Sequence, residues 1–279
     1  MKPKRRPNQG EPLTADFPLA TYSGIPQQIK LQDGPFDPSG EWAMKWSLYA
    51  CIHGPQVIGD VTIRRDFGPI GGVSLRVHHT KKLMGGTRRL DALLHIGKRE
   101  EADSTIARLS TPRWWSFRAV VLGAGGRPIP ETRLERRLEV LDGKLRMVNR
   151  PFGGGAKSDS AESKKPTSQQ IDMPADSPHF TTRWALFDAV ARMAVEPVAA
   201  AEPMEFTLID HCDQVKPDQR LIVRGKVTVE LGGKPVEMTV IDQLGRGVMP
   251  FTYWIDSAGR PLLITTGLET YVLESASNV

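Results

Sequence analysis

Thr132-Arg-Leu-Glu-Arg-Arg-Leu-Glu-Val140 alternates in character residue by residue. Thr132, Leu134, Arg136, Leu138 and Val140 fall on one face of an extended chain, and Arg133, Glu135, Arg137 and Glu139 fall on the other. This is the period-two pattern of a half-buried strand with one solvated face, and Arg136 is the exception on the apolar side. The same alternation recurs upstream in Val57, Val61 and Ile63, in Val73, Leu75 and Val77, in Leu90, Ala92, Leu94 and Ile96, and in Trp115, Phe117, Ala119 and Val121. The first half therefore reads as an antiparallel meander. Asp142-Gly143 supplies a hairpin turn after Val140.

Downstream the period changes. Trp184, Phe187, Val190, Ala191 and Ala194 follow helical spacing, with Asp188 and Arg192 as an i,i+4 pair on the opposite side, which predicts an amphipathic helix over 181–195 that Pro197 ends. Strands resume with Leu221, Val223, Val227, Val229 and Leu231, turn at Gly232-Gly233, and return through Val236, Met238 and Val240. Met249 to Ile255, Leu262 to Thr266 and Tyr271 to Leu273 close the chain. Three Gly-basic-Pro tripeptides, Gly126-Arg-Pro128, Gly233-Lys-Pro235 and Gly259-Arg-Pro261, read as hairpin punctuation: Gly accepts a positive φ, and Pro at a strand's first position gives up no ladder donor. The two halves share a plan, long β meanders either side of a helix, without a sequence repeat.

Two stretches lack any period. Residues 1–40 carry seven prolines among polar residues and read as an irregular or disordered basic lead. Residues 153–178, from Gly153-Gly-Gly155 through Lys157-Ser-Asp-Ser-Ala-Glu-Ser-Lys-Lys-Pro166, read as a flexible linker, because ordering them costs ~1–2 kcal/mol per residue with little apolar surface to offset it. The expected organisation is one domain over 41–273, interrupted by that linker and the helix, with a tail at 274–279.

The 279 residues are 39% hydrophobic and 25% charged, near the averages of folded domains, which excludes wholesale disorder and collagen-like chains. The most apolar stretch, Trp184 to Ala201, is broken by Asp188, Arg192, Glu196 and Pro197, so no transmembrane segment is expected. No apolar run follows the basic start Met1-Lys-Pro-Lys-Arg-Arg-Pro7, which reads as cytoplasmic. The net charge of +5 conceals an asymmetry: residues 1–150 hold 25 Lys and Arg against 15 Asp and Glu, and the rest hold 12 against 17. Cys51 and Cys212 match neither redox nor zinc spacings and read as small buried hydrophobes, with pairing in an oxidising compartment left open.

The closing segment Phe251-Thr-Tyr-Trp-Ile-Asp-Ser-Ala-Gly-Arg-Pro-Leu-Leu-Ile264, an aromatic strand turning through Asp-x-x-Gly-Arg-Pro into an apolar one, resembles the final hairpins of the bacterial lipoprotein-carrier-like half-barrel superfamily. The resemblance covers Glu41 to Leu273 in element order and the closing hairpin in residue detail. It implies a strongly curved antiparallel sheet around helical elements, with a concave face that is filled or encloses an apolar cavity for acyl chains. It also implies a periplasmic or exported protein, if the true N-terminus is missing.

A search for chemistry finds no G-x-S-x-G elbow, H-E-x-x-H or P-loop, so no catalytic residue, metal site or cofactor is assigned. Asp242 and Asp256 read as turn acids. His78 and His79 are adjacent on a strand and point to opposite faces. Cys51 and His53 with His211 and Cys212 form the one soft-ligand set that a pseudo-symmetric fold would bring together.

The expected architecture is thus mainly β: a strongly curved antiparallel sheet, a half or split barrel, with one amphipathic helix against its concave face. A helix of about fifteen residues is ~22 Å long and ~10 Å across, too small to cover such a face. The expected function is non-catalytic binding or structural, with a lipid or other apolar small molecule held between sheet and helix by Trp115, Phe117, Trp184, Phe187, Val190 and Trp254. One alternative is a nucleic-acid or anionic-surface module using Arg64, Arg65, Arg76, Lys81, Lys82, Arg88 and Arg89, with His78, His79, Trp114 and Trp115 available for stacking. An enzyme of unrecognised type is another.

Overall fold

The computed structural model describes residues 28–50, 56–68, 72–98, 108–142, 144–150, 166–174, 179–195, 203–210, 214–231 and 234–279. The Cys51–His53 and His211–Cys212 pairs, the Gly232-Gly233 turn and most of the expected linker lie outside the described residues. The first eight strands are β1 (Trp42–Ala50), β2 (Gln56–Phe67), β3 (Gly72–Leu83), β4 (Gly86–Lys98), β5 (Pro112–Leu122), β6 (Leu134–Leu141), β7 (Lys144–Arg150) and β8 (Thr167–Asp172). Then come β9 (Phe180–Thr182), helix α1 (Arg183–Val195), β10 (Met204–Asp210), β11 (Gln214–Leu231), β12 (Lys234–Leu244), β13 (Phe251–Asp256), β14 (Pro261–Thr265) and β15 (Glu269–Asn278).

All fifteen strands join one sheet. It runs from β8 back to β1, crosses to β15, and continues down to β9. The first and last strands thus pair in its middle, with Trp42 opposite Asn278 and Ala50 opposite Glu269. Neighbouring strands lie ~4.8 Å apart, so a flat sheet of this size would put its edges roughly 65–70 Å apart. Yet the chain from Asp172 at one edge to Phe180 at the other spans at most about 30 Å. The sheet must therefore curl. Its edges β8 and β9 do not pair, which leaves an open half-barrel. Thr111 Oγ1 donates to Phe180 O at 2.7 Å and Thr181 Oγ1 to Leu109 O at 2.8 Å, tying the β9 edge to the segment that leads into β5. Pairing is antiparallel throughout except between β9 and β10, which α1 connects as a crossover.

Helix α1 lies against the concave face. Thr182 caps its start, Oγ1 accepting from Ala185 N at 3.4 Å. Phe187 is central: its ring stands edge-on to Trp46 at 5.1 Å, Tyr271 at 5.8 Å and Tyr253 at 6.3 Å. The helix is not amphipathic in the expected sense, because every residue from Ala185 to Ala191 is buried. Asp188 and Arg192 do form their pair, at 3.2 Å, but inside the protein. The Asp188 carboxylate also meets Arg65 Nε at 2.8 Å and accepts from Ser110 Oγ at 2.5 Å, so the wall of the barrel supplies the partners that helical periodicity assigned to water.

Three boundaries differ from expectation. Residues 28–40 form no strand, as their prolines require, but they are anchored: Arg260 donates to Gln32 O at 3.1 Å and to Gly34 O, while its guanidinium covers the Phe36 ring. Arg260 therefore does more than punctuate a hairpin. Gly259 beside it has φ +91°, and a Cβ there would come within 2.8 Å of Ala191 O, so the Gly-Arg-Pro turn also requires glycine for close helix approach. Within the expected linker, Thr167–Asp172 forms β8, a polar edge strand held by ladder bonds to β7. The expected tail from Glu274 continues β15 to Asn278, whose side chain accepts from Asp37 N and donates to Glu41 O, each at 3.0 Å. No helix among the described residues is long and apolar enough to cross a membrane.

Candidate ligand-binding site

Register determines what the concave face offers along β3, β4 and β5. Inward positions on β3 and β4 pair as Leu75 with Leu94, Val77 with Ala92, His79 with Leu90, and Lys81 with Arg88. On β5, Trp115 lies opposite Leu94 and Phe117 opposite Ala92. The wall is therefore graded, with aliphatic and aromatic side chains at one end and two cations at the other. At the charged end it faces the first turn of α1 and the ends of β10, β11, β13 and β15.

Between these elements lies a cavity of about 460 Å³. Leu90, Ala92, Leu94, Trp115, Phe117 and Trp184 form its apolar side, with Ile209, Phe251 and Tyr271 across from them. The volume falls within the ~300–1,000 Å³ of small-molecule sites. Arg183 places its guanidinium 5.2 Å from the centre of the Phe251 ring.

The charged rim holds Lys81, Arg88, Arg183 and Lys216 against Asp210 and Glu269. Lys81 pairs with Glu269. Asp210 Oδ2 takes both Arg183, at 2.8 Å, and Lys216, at 2.7 Å. Arg88 has no carboxylate partner among the described residues, and its Nε is buried without a hydrogen bond. His79, 4% exposed, stands edge-on to Trp184 at 5.2 Å, and its Nε2 is likewise buried and unpartnered. Burial, reinforced by the positive charges of Arg88 and Lys81, lowers its pKa to about 3, so the ring is neutral. Burial also holds the Tyr271 phenol up to about 12.

Three of the six expected ligand-contacting residues, Trp115, Phe117 and Trp184, line this cavity. Phe187 and Val190 lie in the packed core with no exposure. Trp254 is on the other side of the sheet: Tyr253 faces Phe187, and strand alternation turns its neighbour to the convex face. Arg183, Asp210, Lys216 and Glu269 had no signal in the sequence, since nothing in their spacing distinguishes them from solvated charges. The basic strands do not present one surface. Arg65, Lys81, Arg88, His79 and Trp115 face inward, whereas Arg64 and Arg76 face outward on Asp66, at 2.6 and 3.4 Å, and His78 and Arg89 on Asp91, at 2.6 and 3.1 Å. Trp114 is outward too, stacked on His95 at 5.5 Å.

No family model matches the chain, and no curated protein matches it in sequence. Among solved structures it is similar to a β-barrel-like protein of domain of unknown function DUF1849 from Brucella abortus, with a TM-score of 0.52 at 8% identity, covering 88% of this chain and 100% of that one. An outer membrane lipoprotein-sorting protein domain from Vibrio parahaemolyticus aligns with a TM-score of 0.20 at 9% identity, over 85% of each chain. The first likeness is one of fold. It bears out the mainly β, curved half-barrel architecture; the second superposes too poorly to add to it.

Proposed function

We propose that this chain is a non-catalytic binding protein that holds an apolar or amphiphilic, acyl-chain-like ligand in the cavity between the sheet and the first turn of α1. The observation that carries the reading is the volume of about 460 Å³ walled by Trp115, Phe117 and Trp184, beside a core in which Phe187 and Val190 are fully buried. Covering ~200 Å² of apolar surface at 25 cal/mol per Å² is worth about 5 kcal/mol before the costs of association are subtracted. Trp115, Phe117 and Trp184 touch the ligand in this reading, and Phe187 packs against Trp184 at 5.7 Å.

The test is to fill the cavity. Ala92→Phe places a ring into it from β4, and titration with a fluorescent fatty-acid analogue reads the result. Saturable one-site binding to the native chain, lost in Ala92→Phe at an unchanged melting temperature, is expected. No binding to the native chain, or equal binding to the filled variant, overturns the proposal.

A further inference from the structure

Lys81 and Arg88 are direct cross-strand partners on the inner face. Like charges in that relation repel, and Glu269 answers only one of them. Across the cavity, Arg183 and Lys216 share a single carboxylate oxygen of Asp210. The rim thus carries four cations against two acids, with His79 neutral and its buried Nε2 without a hydrogen bond. This excess charge sits at one end of a wall that becomes steadily more apolar toward Leu75 and Leu94.

We infer that the cavity takes a single-chain anionic amphiphile, a long-chain carboxylate or phosphate monoester, with its tail against Trp115, Phe117 and Leu94 and its anionic oxygens between Lys81 and Arg88. The inference rests on the acyl-binding reading and adds polarity and orientation to it. An anion there answers Arg88, relieves the repulsion across β3 and β4, and accepts hydrogen bonds from guanidinium N–H groups, which are stronger than neutral ones. The partly enclosed position screens these charges less than an exposed surface would. His79 stands one inward register step from Lys81 toward the tail, with its Nε2 unpartnered. The volume suits one chain rather than two.

Calorimetric titration of the native chain with a matched series, dodecanoate, dodecyl phosphate, dodecanol and dodecyltrimethylammonium, each below its micelle concentration, tests this, with inorganic phosphate as the head alone. The anions are expected to bind at least about tenfold tighter than dodecanol, equivalent to about 1.4 kcal/mol, with the cation weakest and phosphate undetected. Arg88→Gln should remove most of that preference and leave dodecanol affinity unchanged. Equal binding of dodecanol and the anions overturns the head-group assignment while the apolar cavity stands. Phosphate binding as tightly as dodecyl phosphate overturns the amphiphile. A full anion preference in Arg88→Gln overturns the location. If no member of the series binds, both this inference and the acyl-binding reading fall.

Discussion

Asp188 in the middle of α1 and Asp210 at the end of β10 are each buried, each 1% exposed, and each answers two cations. Their surroundings differ. Around Asp188 the surplus positive charge is consumed by the protein: Arg65 also donates to Ser39 O and Gly40 O, and Arg192 to Ser110 Oγ at 2.7 Å. Around Asp210 it opens onto the cavity, where Arg88 adds a further charge without a counterion among the described residues. One cluster pins the helix to the wall, and the other presents an unanswered field to whatever enters. The same charge ratio is structural where backbone carbonyls complete it and receptive where they do not.

The largest expected effect breaks this comparison at its structural end. Asp188→Ala leaves the buried Arg65, 7% exposed, and the half-buried Arg192 without their carboxylate and should cost about 3–5 kcal/mol of unfolding free energy, as breaking a buried pair does. Asp210→Asn should cost roughly 1–2 kcal/mol, because its partners Arg183 and Lys216 remain 23% and 17% exposed and keep access to water through the cavity. Urea denaturation of both variants decides it. Equal losses would mean that the two clusters do the same work.

This difference also marks where the sequence became unreadable. The alternation in Thr132–Val140 and its upstream counterparts carried the sheet, and the break at Pro197 and the helical spacing from Trp184 carried α1. Periodicity cannot say that the polar side of a helix is buried, because Asp188 and Arg192 look identical whether water or Arg65 answers them. Nor could it place Lys81 opposite Arg88, since register is a relation between strands and each residue alone reads as a solvated charge. Strand β8 escaped notice for the opposite reason: Thr167-Ser-Gln-Gln-Ile-Asp172 is held by backbone bonds at a polar edge and carries almost no apolar signal. Trp254 misled because aromatic character does not reveal which face of a doubly buried strand a side chain occupies.

The next effect builds with falling pH and lies on the receptive side. His79 titrates near 6.5 in the unfolded chain and near 3 when folded, so between those values the unfolded state binds the extra proton. Its contribution is full above pH 6.5 and is lost as the pH falls toward 3, at up to about 1.4 kcal/mol per pH unit. His79→Gln should flatten the decline in stability between pH 6 and pH 4. Thermal melts across that range check it, and an unchanged slope would show that the ring is hydrated through the cavity.

The smallest effect is the sharpest test of the unanswered field, because it needs no ligand. Replacing a cation usually leaves stability unchanged or lowers it, through lost packing of the long stem. At Arg88 the cross-strand partner is Lys81 and no carboxylate pairs with it among the described residues, so Arg88→Gln keeps most of the stem and removes a repulsion worth ~0.2–1 kcal/mol. The ligand-free variant should therefore be slightly more stable than the native chain at low ionic strength, and salt should erase the gain as it screens the pair. The parallel substitution Lys81→Gln removes the same repulsion but also unpairs Glu269, so it should gain nothing. A loss of stability in Arg88→Gln that salt leaves untouched would show that Arg88 is held by contacts other than charge, and that the Asp210 side of the barrel is as complete in itself as the Asp188 side.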